Sequence, residues 1–348
     1  MMIFPQLKNI LKIFYKMNFN NTFNKYIKKS IYPDLDRHPS PAQKHYNYFI
    51  IIPIFNEYDY LLNTLKSIDN QNLLLLNKTL VVLVINNSTK SNQSIKNNNN
   101  STNKMVKSYN FYYEYIVLDC FSNGYELPTK KSGVGVARKI GMDYCISFAN
   151  KNSLFCSLDA DTILNTNYLN IVSKKFKIDN LSAAVVNFKH QLTKNKINQA
   201  AIKKYEKLIK SIAKNINKTG SPYGFVSMGS TIVCTLYAYI SIGGMPPKKA
   251  TEDFYFLQKL AKFRGVYTFK KILVYPSSRN EQRVYLGTGY RIKQYQHDPL
   301  FQDLLINSNA YMALKNLYQI INTKWDSSSK DILASINKKN SKLSKYLD

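Results

Sequence analysis

Three short apolar runs constrain this chain most: Tyr48-Phe49-Ile50-Ile51-Ile52-Pro53, Thr79-Leu80-Val81-Val82-Leu83-Val84-Ile85 and Ser153-Leu154-Phe155-Cys156-Ser157. They are largely uninterrupted by polar residues, so each reads as a strand buried on both faces, as in parallel sheets covered by helices. Between the first two, Tyr60, Leu61, Thr64, Leu65 and Ile68 recur at helical spacing. Strand alternating with helix is the pattern of a doubly wound α/β sheet. Further strands are expected over Phe111 to Leu118, Leu181 to Phe188 and Gly265 to Tyr275, with helices over Gln199 to Asn217 and from Glu252 onward.

Three segments lie outside this alternation. Residues 1–46 form a basic extension in which Leu7, Ile10, Leu11 and Phe14 lie at helical spacing among lysines. Such a helix either rests on an anionic membrane surface or packs on the protein's own body, and both readings stand open. Pro33, Pro39 and Pro41 then make an extended linker. The run from Lys90 to Lys107 is polar and Asn-rich, and reads as a surface loop or disordered insertion with no part in chemistry. Residues 47–276 hold the expected folded α/β domain, and residues 277–348 a basic, glycine-containing segment followed by a helical tail.

Composition narrows the function classes. The chain has 348 residues and a net charge of +28, which would draw anionic partners. The lysines are scattered among Asn and Ile, and no RNA-binding signature or zinc spacing accompanies them, so nucleic acid is a disfavoured partner. The four cysteines Cys120, Cys145, Cys156 and Cys234 include no CxxC pair, which points to free thiols in a reducing compartment. With no apolar run of membrane-spanning length and no signal-peptide core, the expected location is the cytoplasm, with peripheral contact at the inner membrane surface as the one variation.

The chemistry-bearing stretch is Leu158-Asp159-Ala160-Asp161-Thr162, directly after the third apolar run. In open α/β sheets ligands collect beyond the carboxyl ends of strands, and two carboxylates there can hold a divalent cation that in turn holds phosphate oxygens. The competing reading makes Asp161 or Thr162 the cap of a following helix. The run Gly133-Val134-Gly135-Val136-Ala137-Arg138 lacks the last small residue of a dinucleotide fingerprint and does not follow the first strand, which disfavours a Rossmann oxidoreductase. A helix N-terminus flanked by Lys130, Lys131 and Arg138 still suits phosphate.

Taken together, five segments resemble glycosyltransferase family 2. They are Ile51-Ile52-Pro53-Ile54-Phe55-Asn56-Glu57, Val84-Ile85-Asn86-Asn87-Ser88, Gly135-Val136-Ala137-Arg138-Lys139-Ile140-Gly141, Leu158-Asp159-Ala160-Asp161-Thr162, and Gly243-Gly244-Met245 followed by Glu252-Asp253-Phe254. The resemblance implies a GT-A fold: a mostly parallel central sheet flanked by helices, here with an N-terminal helical extension and a C-terminal helical tail. It also implies a hexosyltransferase-type enzyme that moves a sugar, with inversion, from a nucleotide-sugar donor to an acceptor that is a glycan, a lipid-linked sugar or a small molecule. Asp161 would be the direct ligand of Mn2+ or Mg2+, and Asp159 would hold the ribose or the metal's water shell. Pro53, Phe55 and Glu57 would frame the nucleotide, with Asn87 nearby and Arg138 on its phosphates. Asp253 would be the base that takes the acceptor's proton, a role Glu252 could instead share by position.

Two departures refine the expectation. The Gln-x-x-Arg-Trp motif of processive synthases is missing, since the only tryptophan, Trp325, lies in the tail without it. A single-addition enzyme is therefore expected. Arg279 and Arg283 follow the last strand, where they would close over the diphosphate. His190, at a strand end, orients a substrate or is structural. The alternatives are a nucleotidyltransferase on a similar sheet and a non-enzymatic protein that binds nucleic acid or a membrane surface through charge alone.

Overall fold

A computed structural model describes residues 19–279, 290, 293 and 307–347. Eight strands form one sheet: β1 (Tyr46–Ile54), β2 (Thr79–Asn86), β3 (Glu114–Cys120), β4 (Ala149–Ser157), β5 (Ile163–Leu164), β6 (Ala183–Phe188), β7 (Ile232–Thr235) and β8 (Tyr267–Tyr275), in the spatial order β3-β2-β1-β4-β7-β6-β8-β5. The first four pair in parallel, and β6 runs parallel to β8. Short β7 is antiparallel to both of its neighbours, and β5 to β8. This is the expected α/β architecture, a mostly parallel sheet with helices on both faces.

The three apolar runs explain why the sheet is covered twice. Along β1 and β2, Phe49, Ile51, Leu80, Val82 and Val84 enter one core, while Ile50, Ile52, Ile54, Val81, Leu83 and Ile85 enter the other. Alternate side chains leave a strand on opposite faces, so an unbroken apolar run needs a helical layer on each side. One layer includes α2 (Tyr58–Asp69) and α5 (Tyr168–Asp179), the other α4 (Val134–Cys145) and α8 (Glu252–Arg264). Gly141 lets α4 approach, because a Cβ there would lie 2.6 Å from Ile51 and 2.9 Å from Val84.

The extension's described helix, α1 (Phe19–Lys29), lies against the body of the protein. Tyr26 is buried, and Phe19, Phe23 and Ile27 pack on the first core. For these residues the own-body reading holds; Leu7, Ile10, Leu11 and Phe14 lie outside the described residues. The Asn-rich run differs from expectation, since Gln93–Lys107 is a helix, α3, capped by the Asn92 side chain. Its Asn99, Thr102 and Val106 are buried, a sparse inner stripe that the surrounding asparagines conceal in the sequence. Helices α6 (Lys196–Lys218) and α7 (Leu236–Ser241) bracket β7, and α9 (Ser308–Thr323), α10 (Ser329–Lys339) and α11 (Ser341–Leu347) make the expected helical tail. Among the described residues no helix is long and apolar enough to cross a membrane.

Candidate active site

Two neighbouring central strands, β1 and β4, deliver the first site acids just beyond their carboxyl ends. Beyond β1 the chain passes Asn56 in the left-handed region, φ 59°, and Glu57 directly precedes α2. Beyond β4, the backbone N–H of Leu158 still donates to Ile51 at 3.0 Å, and then Asp159 to Asp161 leave the sheet in a turn closed by Thr162 N–H on the Asp159 carbonyl at 3.1 Å. The following helix begins only at Tyr168, so neither Asp161 nor Thr162 is its cap, and the capping reading falls. Helix α2 fastens this turn and the chain beyond it: the Thr64 hydroxyl donates to the Ala160 carbonyl at 2.9 Å, and Gln71 bonds Asn165 and Leu169.

Two arginines organise the acids. Arg138, on α4 and 3% exposed, donates from Nη2 to Asp159 and from Nη1 to Glu252. Arg279, just past β8, places Nη2 2.7 Å from Glu57 Oε1 and 2.9 Å from Asp161 Oδ2, with its guanidinium 4.3 Å from the Tyr60 ring centroid. Four of the expected site acids are thus brought together in two ion-paired sets. Asp159 and Asp161 are half-buried, whereas Glu57 and Glu252 are buried.

Local backbone explains the acids on α8. Thr251 is left-handed, φ 61°, and turns the chain so that Glu252 enters the protein while Asp253 stays half-buried. Gly135 is required beside them, because a Cβ there would lie 2.3 Å from the Lys248 carbonyl and 2.9 Å from Glu252 Cβ. Asp253 Oδ1 accepts the N–H of Phe254 at 2.7 Å. Burial pushes the Glu252 carboxyl above the ordinary range against the pull of Arg138, with Asp253 adding to the rise. Asp253 is raised by the same two opposed influences, burial winning. Burial acts against the charge of Arg138, but Asp159, Glu252 and Asp253 outweigh it and keep the guanidinium protonated.

Several supports were not foreseen. Asn99 of α3 donates to the Asn86 carbonyl and to Asn87 Oδ1, both at 3.0 Å, and accepts the N–H of Asn56 at 3.1 Å. It therefore ties the ends of β1 and β2 together. Asn87 is 1% exposed and belongs to this framework. Gln191 Nε2 donates to the carbonyls of Asp161 at 2.9 Å and Tyr275 at 2.8 Å. No sequence signal marks Asn99 among its asparagine neighbours, and Gln191 is marked only by following a strand. His190 is buried with Nδ1 2.7 Å from Glu206 Oε1, so its one described polar side-chain contact is with α6. Pro53 and Phe55 are half-buried at the end of β1, all four cysteines are buried and free, and Arg283 lies outside the described residues.

Among the described residues no three His, Cys, Asp or Glu side chains gather as a metal cage. The arrangement offers instead a few carboxylates beside guanidinium groups, suited to a ligand that carries phosphate and supplies oxygen ligands of its own.

Among solved structures, the chain is similar to S. aureus TarS 1-349 in complex with UDP-GlcNAc, at 12% identity over 83% of this chain and 81% of that one, with a TM-score of 0.47. In a longer TarS structure it covers 44% of the chain, at 13% identity over 82% of this chain and the same TM-score. A mannosyltransferase from Pyrobaculum calidifontis, solved with GDP-Man and Mn2+, gives 15% identity over 94% of this chain and 86% of that one, with a TM-score of 0.47. Among curated proteins none matches. The family model described as "Glycosyl transferase family 2" matches residues 49–232, just over half of the chain and the part that carries β1, β2, Arg138 and the Asp159–Asp161 turn. The chain belongs to glycosyl transferase family 2 and is a glycosyltransferase.

Proposed function

We propose that this glycosyltransferase moves a sugar from a nucleoside-diphosphate donor to an acceptor hydroxyl with inversion, Asp253 acting as the base and Asp161, assisted by Asp159, holding a divalent cation. The observation that carries this reading is the pairing of Glu57 with Asp161 through Arg279 and of Asp159 with Glu252 through Arg138. Carboxylate oxygens suit Mn2+ or Mg2+, and such ions commonly take one or two protein carboxylates together with substrate phosphates. The residues therefore fit the ion. When bound, it supplies Lewis-acid neutralisation of the departing diphosphate.

The protein's own groups do the rest. Diphosphate oxygens compete with Asp161 for Arg279, since guanidinium binds phosphate with two parallel charge-assisted hydrogen bonds. Transfer of Arg279 from acid to phosphate would free the Asp161 carboxylate. Arg138 stays between Asp159 and Glu252 and fixes both. Pro53, Phe55 and Glu57 frame the base and ribose at the end of β1. The acceptor hydroxyl attacks the anomeric carbon opposite the leaving group, and its proton passes to Asp253. Asp253 suits that role better than Glu252, which is 4% exposed and held by Arg138. A base raised by burial is also a stronger proton acceptor. In this reading the enzyme works in the cytoplasm. Membership of the family leaves the nucleotidyltransferase and charge-only alternatives without an observation of their own.

The test is Asp253→Asn. It should keep the thermal shift given by nucleoside diphosphate and manganese and lose transfer by about 10²–10⁴-fold. Undiminished transfer would refute the assignment. Asp161→Asn should abolish the manganese-dependent part of the same shift.

A further inference from the structure

Helix α8 carries two large aromatic side chains beside Asp253 that its packing does not use. Its inner face is Glu252, Phe256, Leu257 and Leu260, whereas Phe254 is 47% exposed and Tyr255 38%. Their rings meet edge to face, with centroids 5.4 Å apart. A single exposed aromatic needs no explanation. Two joined aromatics next to the expected base are different, because apolar ring faces can seat the apolar face of a sugar.

The same place is strongly basic. Lys248 Nζ lies 3.4 Å from the Tyr255 ring centroid, and Lys249 is its exposed neighbour. The loop bearing exposed Lys130 and Lys131 arrives alongside: a Cβ at Gly133 would lie 3.0 Å from Lys249 Cα, and one at Gly135 would meet the Lys248 carbonyl. None of these four lysines takes part in an ion pair among the described residues. Like charges held close repel unless an anion joins them.

We propose that Phe254, Tyr255 and the lysines at 130, 131, 248 and 249 form an acceptor subsite for an anionic saccharide. The sugar ring seats on the aromatic pair, and its phosphate or carboxylate pairs with the lysines. This rests on Asp253 being the base, because the subsite then delivers the acceptor's hydroxyl to it.

The experiment uses the full chain with glucose 6-phosphate, ribose 5-phosphate, glucuronic acid, glucose and inorganic phosphate. Binding is followed by calorimetry and by saturation transfer from the protein to the sugar ring protons. Release of nucleoside diphosphate from UDP-glucose, UDP-GlcNAc and GDP-mannose without acceptor is measured in parallel. Expected are tighter binding of the anionic sugars than of glucose or phosphate, and about tenfold weaker binding in the K248E/K249E double variant, two surface charges being reversed. Phe254→Ala should weaken binding of the anionic sugars by removing the apolar ring contact, and both variants should keep the wild-type melting temperature. Phosphate binding as well as any sugar phosphate, affinities unmoved by both variants, or no binding by any anionic sugar would each overturn the subsite. Sugar binding as described without nucleotide release from any donor would instead count against the transfer reading and leave the subsite standing as a saccharide site.

Discussion

Arg138 and Lys139 are consecutive residues of α4, both buried, yet they serve two unlike clusters. Lys139 Nζ donates to Asp143 Oδ2 at 2.7 Å, to the Tyr26 hydroxyl at 3.0 Å and to the Ser30 carbonyl at 2.6 Å. Asp143, 0% exposed, also accepts the Tyr26 hydroxyl at 2.7 Å, the Tyr239 hydroxyl at 2.6 Å and the Tyr32 N–H at 2.8 Å. Burial and then the Asp143 charge push both tyrosine hydroxyls far above their usual range, so they remain donors. This cluster is closed. Around Arg138, by contrast, Nε has no hydrogen-bond partner among the described residues, and Asp159 and Asp253 are only half-buried. A saturated buried network fastens one arrangement, while an open one leaves groups for a ligand. The first ties the N-terminal extension to the domain, and the second is the one we propose for catalysis.

The largest effect that would break this division is expected at Asp143. Asp143→Ala leaves Lys139 buried without its carboxylate and should cost about 3–5 kcal/mol in chemical denaturation. That is a large part of a typical domain's stability. Transfer per folded molecule should stay near wild type. A small change in stability with lost activity would move Asp143 into the catalytic cluster.

Two glycines sharpen the same comparison. A Cβ at Gly229 would lie 2.0 Å from Arg138 Nη2, and one at Gly244 would lie 2.1 Å from the Tyr26 hydroxyl. Gly229→Ala should push the guanidinium away from Asp159 and Glu252 and lower kcat/KM by about 10²-fold, as misplacement near reacting groups does. Gly244→Ala meets the hydroxyl and a φ of +73°, and should lower stability by about 3 kcal/mol. Paired kinetics and unfolding on the two variants read the contrast directly, and an interchange of the two outcomes would reverse the roles.

Acid pH offers a gentler probe. Glu252 and Asp253 are both raised by burial against the pull of Arg138, so the folded protein holds their protons more tightly than the unfolded chain. Their contribution to stability is present below the unfolded carboxyl pKa and is lost as pH rises through the raised folded values. Activity is expected to run the other way, since Asp253 as the proposed base must be ionised. The acidic limb of kcat/KM should therefore lie above the ordinary carboxylate range, and a limb at or below that range would remove Asp253 as the base.

Much of this was legible in the sequence because it depends on local pattern. Unbroken apolar runs specify strands covered on both faces, and the Asp159–Asp161 and Glu252–Asp253 pairs stand out by residue type at element ends. The rest depends on distant partners. Nothing near Asp143 announces that Tyr26, 117 positions away, donates to it. The position of Arg279 between Glu57 and Asp161 arises only when β8 lies beside β6 and β5. Helix α3 was hidden for another reason: its composition is that of a solvated loop, and only Asn99, Thr102 and Val106 of it are fully buried.

Asn99 yields the smallest expected effect, and it tests how far the open cluster extends. Its side chain is bonded to Asn56, Asn86 and Asn87, which lie at or just beyond the ends of β1 and β2. Asn99→Ala should leave these groups partly unsatisfied at a cost of about 1–2 kcal/mol in stability. The strand ends would loosen where Pro53, Phe55 and Glu57 are proposed to frame the nucleotide, so the donor KM should rise while kcat is kept. Such a split between KM and kcat would extend the functional cluster to α3. A loss of stability with both constants unchanged would place Asn99 with Asp143, among the residues that hold the fold and leave the reaction alone.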